Sequence, residues 1–272
     1  MKNKTISPYK TGLDEGNAYW MAKLSAVVYL QKSVADKMPD EDRILADLQL
    51  EDERFISVFG ADKNSSQAAL IEHEDYLCLS FRGTDEAADW LDNINIFPKE
   101  ALFGEFHGGF WHALDDIWHL LYDQFNNLQK QRKRPLFITG HSLGGAMATI
   151  AAAILIHEQR PFTSVYTFGQ PRAMTMETAR TFNMECKSRF FRFHNNNDIV
   201  TRTPARVMGY SHIGSYLYIS EEKEIHPEAG FWFRFLDYVD GAVDSLSQRG
   251  LDAIEDHDVE QYLAAVQQWD LK

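Results

Sequence analysis

Three observations predict an α/β fold whose central sheet is mostly parallel and flanked by helices. Strand-like runs alternate with an apolar helix in the second half of the chain, in the order 136–139, 140–157, 164–168 and 189–194. Strands joined through helices form parallel neighbours. Three earlier runs, separated by turn residues, predict hairpins, and they lie at 55–60, 67–72 and 76–81. A further helix is predicted over 19–30, and the hairpins make the sheet mixed.

The composition predicts one globular domain over residues 1–272. The chain has 272 residues, of which 44% are hydrophobic and 25% charged, and no linker rich in proline, glycine or serine divides it. Lys and Arg number 27 against 40 Asp and Glu, so the net charge is −13. An acidic chain is repelled by phosphate backbones, which argues against nucleic acid as a partner.

The apolar segments are too short to predict a membrane span. The longest, 146–156, is about half the length that a bilayer requires. No signal peptide follows Met1, so we expect either a cytoplasmic protein or the mature form of a secreted one. The two cysteines, Cys78 and Cys186, are expected to be free buried thiols.

The motif Gly-His-Ser-Leu-Gly-Gly at 140–145 predicts a nucleophile at Ser142. It contains G-x-S-x-G between a strand and a helix, where a sharp turn exposes the serine hydroxyl at the helix N-terminus. A Cβ at Gly140 or Gly144 would crowd this turn. The Leu143 N–H is placed to donate to an oxyanion. The alternative is a glycine-rich turn in which Ser142 only caps the helix.

The order of residues after Ser142 restricts the acid and the base. Asp198 follows the strand at 189–194 and is the candidate acid, although a plain Asx turn is the alternative. The candidate bases after it are His212, His226 and His257. His257 is favoured because it lies in a polar segment between two helical patterns, whereas His212 begins a strand candidate at 211–219 and His226 lies in a surface loop. His107 and His112 lack a third metal ligand nearby and are interpreted as packed side chains.

Six short segments between about residue 19 and residue 262 form a specific combination. The main segments are 81–84 with Trp90, 107–110, 140–145 and 167–172. Weaker ones are 197–200 with Pro204, and 256–257 with Tyr262. Together they resemble the class 3 lipases, the family of fungal triacylglycerol lipases.

The resemblance implies an α/β-hydrolase fold with a short helical lid and a Ser142, Asp198 and His257 triad. It also implies an oxyanion hole formed by Thr84 and Leu143, and activity without a cofactor or metal. Family members usually carry an aspartate where this chain has Asn93, which places the anchoring of Thr84 in question.

The lid implied by the resemblance covers about residues 85–106. Trp90, Ile94 and Phe97 fall near one face of a helix expected over 85–97, which would cover an acyl pocket. An ordinary packed helix is the alternative. A second aromatic cluster at 231–238 is either core or an interfacial surface.

The expected activity is carboxylic-ester hydrolysis through an acyl-enzyme. The resemblance implies a triacylglycerol lipase that acts on acylglycerols or other esters at a lipid–water interface. Alternatives within enzymes are a phospholipase of the A1 type and a feruloyl-type esterase. A lipase-like binding protein without turnover is the alternative from another class.

Overall fold

A computed structural model describes residues 4–84, 97–227 and 255–270. The helices are α1 (Glu15–Val27), α2 (Glu41–Gln49), α3 (Gly108–Gln131), α4 (Leu143–His157), α5 (Met176–Cys186) and α6 (Val259–Gln268). The strands of the larger sheet are β1 (Phe55–Lys63), β2 (Ser66–His73), β3 (Leu77–Phe81), β6 (Leu136–His141), β7 (Ser164–Phe168), β9 (Phe190–Asn195), β11 (Ser215–Ile219) and β12 (Ile225–Pro227). Those of the smaller sheet are β4 (Pro98–Ala101), β5 (Gly104–His107), β8 (Met174–Thr175) and β10 (Tyr210–Ser211).

The predicted mixed sheet is confirmed. Its strand order is β1-β2-β3-β6-β7-β9-β11-β12. Neighbours from β3 to β11 are parallel, and the pairs at the two edges are antiparallel. Parallel strands place their carboxyl ends along one edge, which is where ligands bind in open α/β sheets.

Helices cover both faces of this sheet because the central strands are apolar on both sides. In β7, Val165 packs with α3 and α4, whereas Tyr166 and Phe168 pack with α1 and α6. Helix α4 is buried along most of its length, which explains its apolar sequence. Cys78 and Cys186 are buried free thiols, as expected, and burial raises the pKa of both.

The predicted strand over 211–219 is wrong as a single element. Ser211 pairs with Met174 in the smaller sheet, whereas Ser215 pairs with Phe191 in the larger one. Gly214 lies between them with a φ of +73°, a conformation that favours glycine and turns the chain. His212 is therefore in the connection between two sheets. His226 is in β12 rather than in a loop, and it is exposed there.

Most of the predicted lid lies outside the described residues, including Trp90, Ile94 and also Asn93. Phe97 is 76% exposed, and the residues that follow it form the β4–β5 hairpin. The aromatic cluster at 231–238 is also outside the described residues. Within the described part of the chain, no helix is both long and apolar enough to cross a membrane.

His107 is a buried cap at the start of α3. Its Nδ1 accepts a hydrogen bond from the Phe110 N–H at 3.4 Å. Its ring stacks on the Phe110 ring, with the two ring centroids 3.9 Å apart. This buried position agrees with the prediction that His107 is a packed side chain. Burial lowers the pKa of His107 to about 4, so the folded chain keeps this ring neutral in mild acid.

Acid is expected to destabilise the fold through His107. Below pH about 6.5 the unfolded chain binds a proton that the folded chain refuses, so stability falls as the pH drops toward about 4. His107→Asn keeps a capping acceptor but does not titrate. Urea unfolding measures the free energy of unfolding at each pH. Between about pH 7.5 and about pH 5 this free energy should fall by about 2 kcal/mol less in the variant than in the native chain. His157→Asn, at an exposed position, is the control and should lose as much as the native chain.

Candidate active site

Ser142 lies in a strained turn between β6 and α4. Its φ is +58° and its ψ is −129°, which is outside the regions that non-glycine residues ordinarily adopt. The Ser142 N–H donates to the Phe168 carbonyl at 2.9 Å, so the turn is fixed to β7. The Ser142 Oγ is buried and has no hydrogen-bond partner among the described residues. This hydroxyl is held by the backbone rather than used as a cap.

The two glycines around Ser142 allow the turn to close. A Cβ on Gly140 would overlap the Gly144 carbonyl oxygen, and a Cβ on Gly144 would overlap the Phe81 carbonyl oxygen. Both obstacles are backbone atoms, which cannot rotate away. The crowding expected from the sequence is confirmed.

Gly144→Ala is expected to destabilise the chain by about 3 kcal/mol, because the added methyl must displace strand β3 or helix α4. Chemical denaturation would measure the loss. Gly12→Ala is the matched control, since a Cβ there has no heavy atom within 4 Å. Equal stability of the two variants would contradict the interpretation of the Gly144 contact.

Asp198 and His257 form a buried pair. The His257 Nδ1–H donates to Asp198 Oδ2 at 2.8 Å. The Tyr262 hydroxyl donates to the same oxygen at 2.5 Å, and the Val200 N–H donates to Oδ1 at 2.9 Å. Burial alone would raise the pKa of Asp198, but the charge and hydrogen bond of His257, assisted by His194 and Tyr262, lower it below its ordinary value. The carboxylate therefore stays ionised although it is not exposed.

Asp256 holds the His257 segment against the loop that carries Asp198. Its carboxylate accepts from the Asn196 side chain at 3.0 Å and from the Asn197 N–H at 3.1 Å. Its carbonyl accepts from the Asn195 side chain at 2.8 Å. The local sequence around 195–197 does not indicate these contacts, because Asp256 lies about sixty residues further along the chain.

His141 links three segments around the turn. Its Nε2 lies 2.6 Å from the His257 carbonyl oxygen, which can only accept, so Nε2 carries the proton. Its Nδ1 then accepts from the Tyr29 hydroxyl at 2.8 Å, and the Tyr29 oxygen accepts from the Gly83 N–H at 3.1 Å. Burial and then the charge of His257 lower the pKa of His141 to about 3. A permanently neutral ring thus supports the backbone of residue 257.

The His257 Nε2 atom faces no hydrogen-bond acceptor or donor in the described part of the chain, and the same holds for Ser142 Oγ. The two residues are near each other in the fold, since the His257 ring lies 4.5 Å from that of His141, the residue before Ser142. No direct hydrogen bond joins them here. In unliganded enzymes this bond is often long and forms fully only with substrate present.

The two candidate oxyanion residues approach Ser142 from different elements. Leu143 is the first residue of α4, where N–H groups have no acceptor within the helix. Thr84 is partly buried and follows Gly83, whose Cβ would lie 2.8 Å from the Ser142 Cβ. The chain before Thr84 therefore passes directly beside the serine.

The alternative histidines are engaged elsewhere. The His212 Nε2–H donates to the Thr201 carbonyl at 2.6 Å. His226 is exposed and lies 3.9 Å from Glu224. Of the three candidate bases, His257 is the one that contacts Asp198 in the structure.

Comparisons with known proteins agree with the motifs. Residues 78–208 match the family described as Lipase (class 3). The resemblance to the class 3 lipases is confirmed. A secreted mono- and diacylglycerol lipase of Fusarium solani is 31% identical over 140 residues, which is 50% of this chain and 41% of the relative. A phospholipase A1-II of Oryza sativa subsp. indica is 25% identical over 182 residues, 56% of this chain and 44% of the relative. The chain thus spans about half the length of the curated relatives that it matches.

Solved structures establish the fold of this class 3 lipase-like chain. A mutant form of MDLA from Penicillium cyclopium has a TM-score of 0.71 at 19% identity, covering 92% of this chain and 97% of that one. The native Rhizomucor miehei lipase propeptide complex has a TM-score of 0.62 at 18% identity, covering 84% and 79%. The expected α/β-hydrolase fold is confirmed.

Proposed function

We propose that the chain is a carboxylic-ester hydrolase, specifically an acylglycerol lipase that acts through Ser142, His257 and Asp198. The observation that supports this most is the Asp198–His257 hydrogen bond at 2.8 Å, combined with a His257 Nε2 that has no other described partner. An imidazole oriented by a buried carboxylate, with its second nitrogen available, is the arrangement that a general base requires.

In the proposed reaction Ser142 Oγ attacks the ester carbonyl while His257 Nε2 takes its proton. Asp198 holds the required tautomer and stabilises the imidazolium that forms. The oxyanion of the tetrahedral intermediate accepts hydrogen bonds from Leu143 and Thr84, each donor contributing about 3 kcal/mol to transition-state stabilisation. The imidazolium then protonates the departing alcohol, leaving an acyl group on Ser142.

Hydrolysis of the acyl-enzyme repeats the same steps with water as the nucleophile. His257 deprotonates the water, and Ser142 leaves with the returned proton, which releases the fatty acid. All the groups used belong to this chain, so the proposal requires no cofactor or metal. Acylglycerols are the proposed substrates because the related proteins of Fusarium solani and Penicillium cyclopium are named as mono- and diacylglycerol lipases.

Labelling with a fluorophosphonate probe tests the proposal. The folded chain should take up one equivalent, and peptide mapping should place it on Ser142, because only an activated serine attacks the phosphorus. Chain unfolded in urea is the control and should not react. Labelling at another residue, or none in the folded state, would refute the assignment. A panel of acylglycerols and phospholipids then separates the lipase from the phospholipase A1 alternative.

A further inference from the structure

A cavity of about 490 Å³ lies between helix α5 and strands β9 and β11. Five of the side chains that line it are cationic: Arg172, Arg180, Lys187, Arg192 and Arg206. None of the described lining residues is an aspartate or a glutamate. This concentration of positive charge is unexpected in a chain whose net charge is −13. It is separate from the Ser142 turn, since neither Ser142 nor His257 lines the cavity.

Two of the guanidinium groups are fixed in the cavity wall. Arg172 is 3% exposed, and its Nη1 donates to the carbonyl oxygens of Arg202 and Pro204. Arg192 is 7% exposed and lies over the ring of Tyr216, 4.7 Å from its centroid. Side chains ordered in this way lose little further freedom when they bind a ligand.

The other three cations have no acidic partner in the described structure. Arg180 contacts the sulfur of Met176 at 3.8 Å, and no described carboxylate lines the cavity beside Arg180, Lys187 or Arg206. Asn183 adds a neutral donor, because its Oδ1 accepts from the Gly214 N–H at 2.8 Å and its amide NH₂ remains for another contact.

The electrostatic environment of His212 agrees with a positive cavity. This ring lines the cavity, and its pKa is lowered well below the ordinary value by burial and then by the charges of Arg192 and Arg172. The electrostatic potential at the cavity wall is therefore positive, and a positive potential stabilises a bound anion.

We propose that this cavity binds a phosphate group. A phosphate presents several acceptor oxygens and up to two negative charges, which matches a site built mainly from guanidinium groups better than a single carboxylate does. The group is either that of a soluble phosphomonoester or that of a phospholipid headgroup. The second source agrees with two exposed apolar side chains. Met184 lines the cavity and is 79% exposed, and Val207, which follows the lining residue Arg206 in the sequence, is 90% exposed. The proposal is independent of the proposed ester hydrolysis.

The test compares two double variants that remove the same charge. Arg180→Gln with Lys187→Gln changes the cavity, whereas Arg132→Gln with Lys133→Gln changes exposed residues after α3. Calorimetry would measure the binding of inorganic phosphate and of glycerol phosphate to the full chain in a phosphate-free buffer. Flotation would measure binding to phosphatidylcholine vesicles with and without phosphatidic acid. The cavity variant should bind about 10-fold more weakly than the native chain or worse, and the control variant should bind like the native chain.

The outcomes separate the sources of the phosphate. If the native chain binds inorganic phosphate or glycerol phosphate and the cavity variant does not, the ligand is a soluble phosphate compound. Binding confined to vesicles with phosphatidic acid, also lost by that variant, supports a headgroup. No saturable binding in either assay overturns the proposal, as does an equal loss in both double variants. Competition by butyrate as strong as that by phosphate overturns the assignment of phosphate.

Discussion

Ser142→Ala is expected to reduce ester hydrolysis by a factor on the order of 10⁴ to 10⁶. The alanine removes the nucleophile but leaves the turn that positions it, because the Ser142 N–H bond to Phe168 does not involve the side chain. The variant should therefore keep its circular dichroism spectrum and melting temperature. Hydrolysis of a p-nitrophenyl ester, with the detection limit set by a blank without enzyme, measures the loss.

Ser164→Ala is the matched control for this variant. Ser164 is also fully buried, but it begins β7 at the opposite end of the parallel strands from Ser142. The Ser164→Ala variant should hydrolyse the ester at the native rate. Native turnover by purified Ser142→Ala would exclude Ser142 as the nucleophile, and a similar loss in both variants would indicate damage to the fold.

Much of the fold was predictable because its signals are local. Strand β7 was predicted with its observed bounds, 164–168, since it is a short run rich in β-branched and aromatic residues that ends before a glycine. The turn at Ser142 was predictable because its glycines prevent contacts with backbone atoms that any such turn would bring close. The division of residues 211–219 between two sheets was not predictable, because it depends on which sheet each half of the segment joins.

The supports of the site have no local signal. The hydrogen bond from His141 to the His257 carbonyl joins residues 116 positions apart, and that from Asn195 to Asp256 joins residues 61 apart. The sequence order restricted the base to three histidines, and the choice among them depends on where α6 packs. Such contacts follow from the arrangement of helices on the sheet rather than from any periodicity in the sequence.

Asp198→Asn is expected to lower kcat by about 10⁴-fold by changing the tautomer of His257. The carboxylate accepts hydrogen bonds at both oxygens, from His257 and Tyr262 at one and from Val200 at the other. An asparagine has one acceptor oxygen and one NH₂ group. If its oxygen faces the Val200 N–H, its NH₂ faces His257 Nδ1, which must then be unprotonated. The proton moves to Nε2, and His257 can no longer accept the Ser142 proton.

Tyr262→Phe separates this effect from simple loss of a hydrogen bond. It removes one donor from the same Asp198 oxygen and the acceptor of the Asn195 N–H, while the His257 and Val200 bonds to Asp198 remain, so kcat should fall by about 10-fold. Steady-state kinetics of both variants on one soluble ester, with KM reported separately, measures the difference. A loss in Asp198→Asn no greater than that in Tyr262→Phe would mean that Asp198 only supports the fold of this loop. A loss about a thousand times greater would assign Asp198 to the control of the His257 proton.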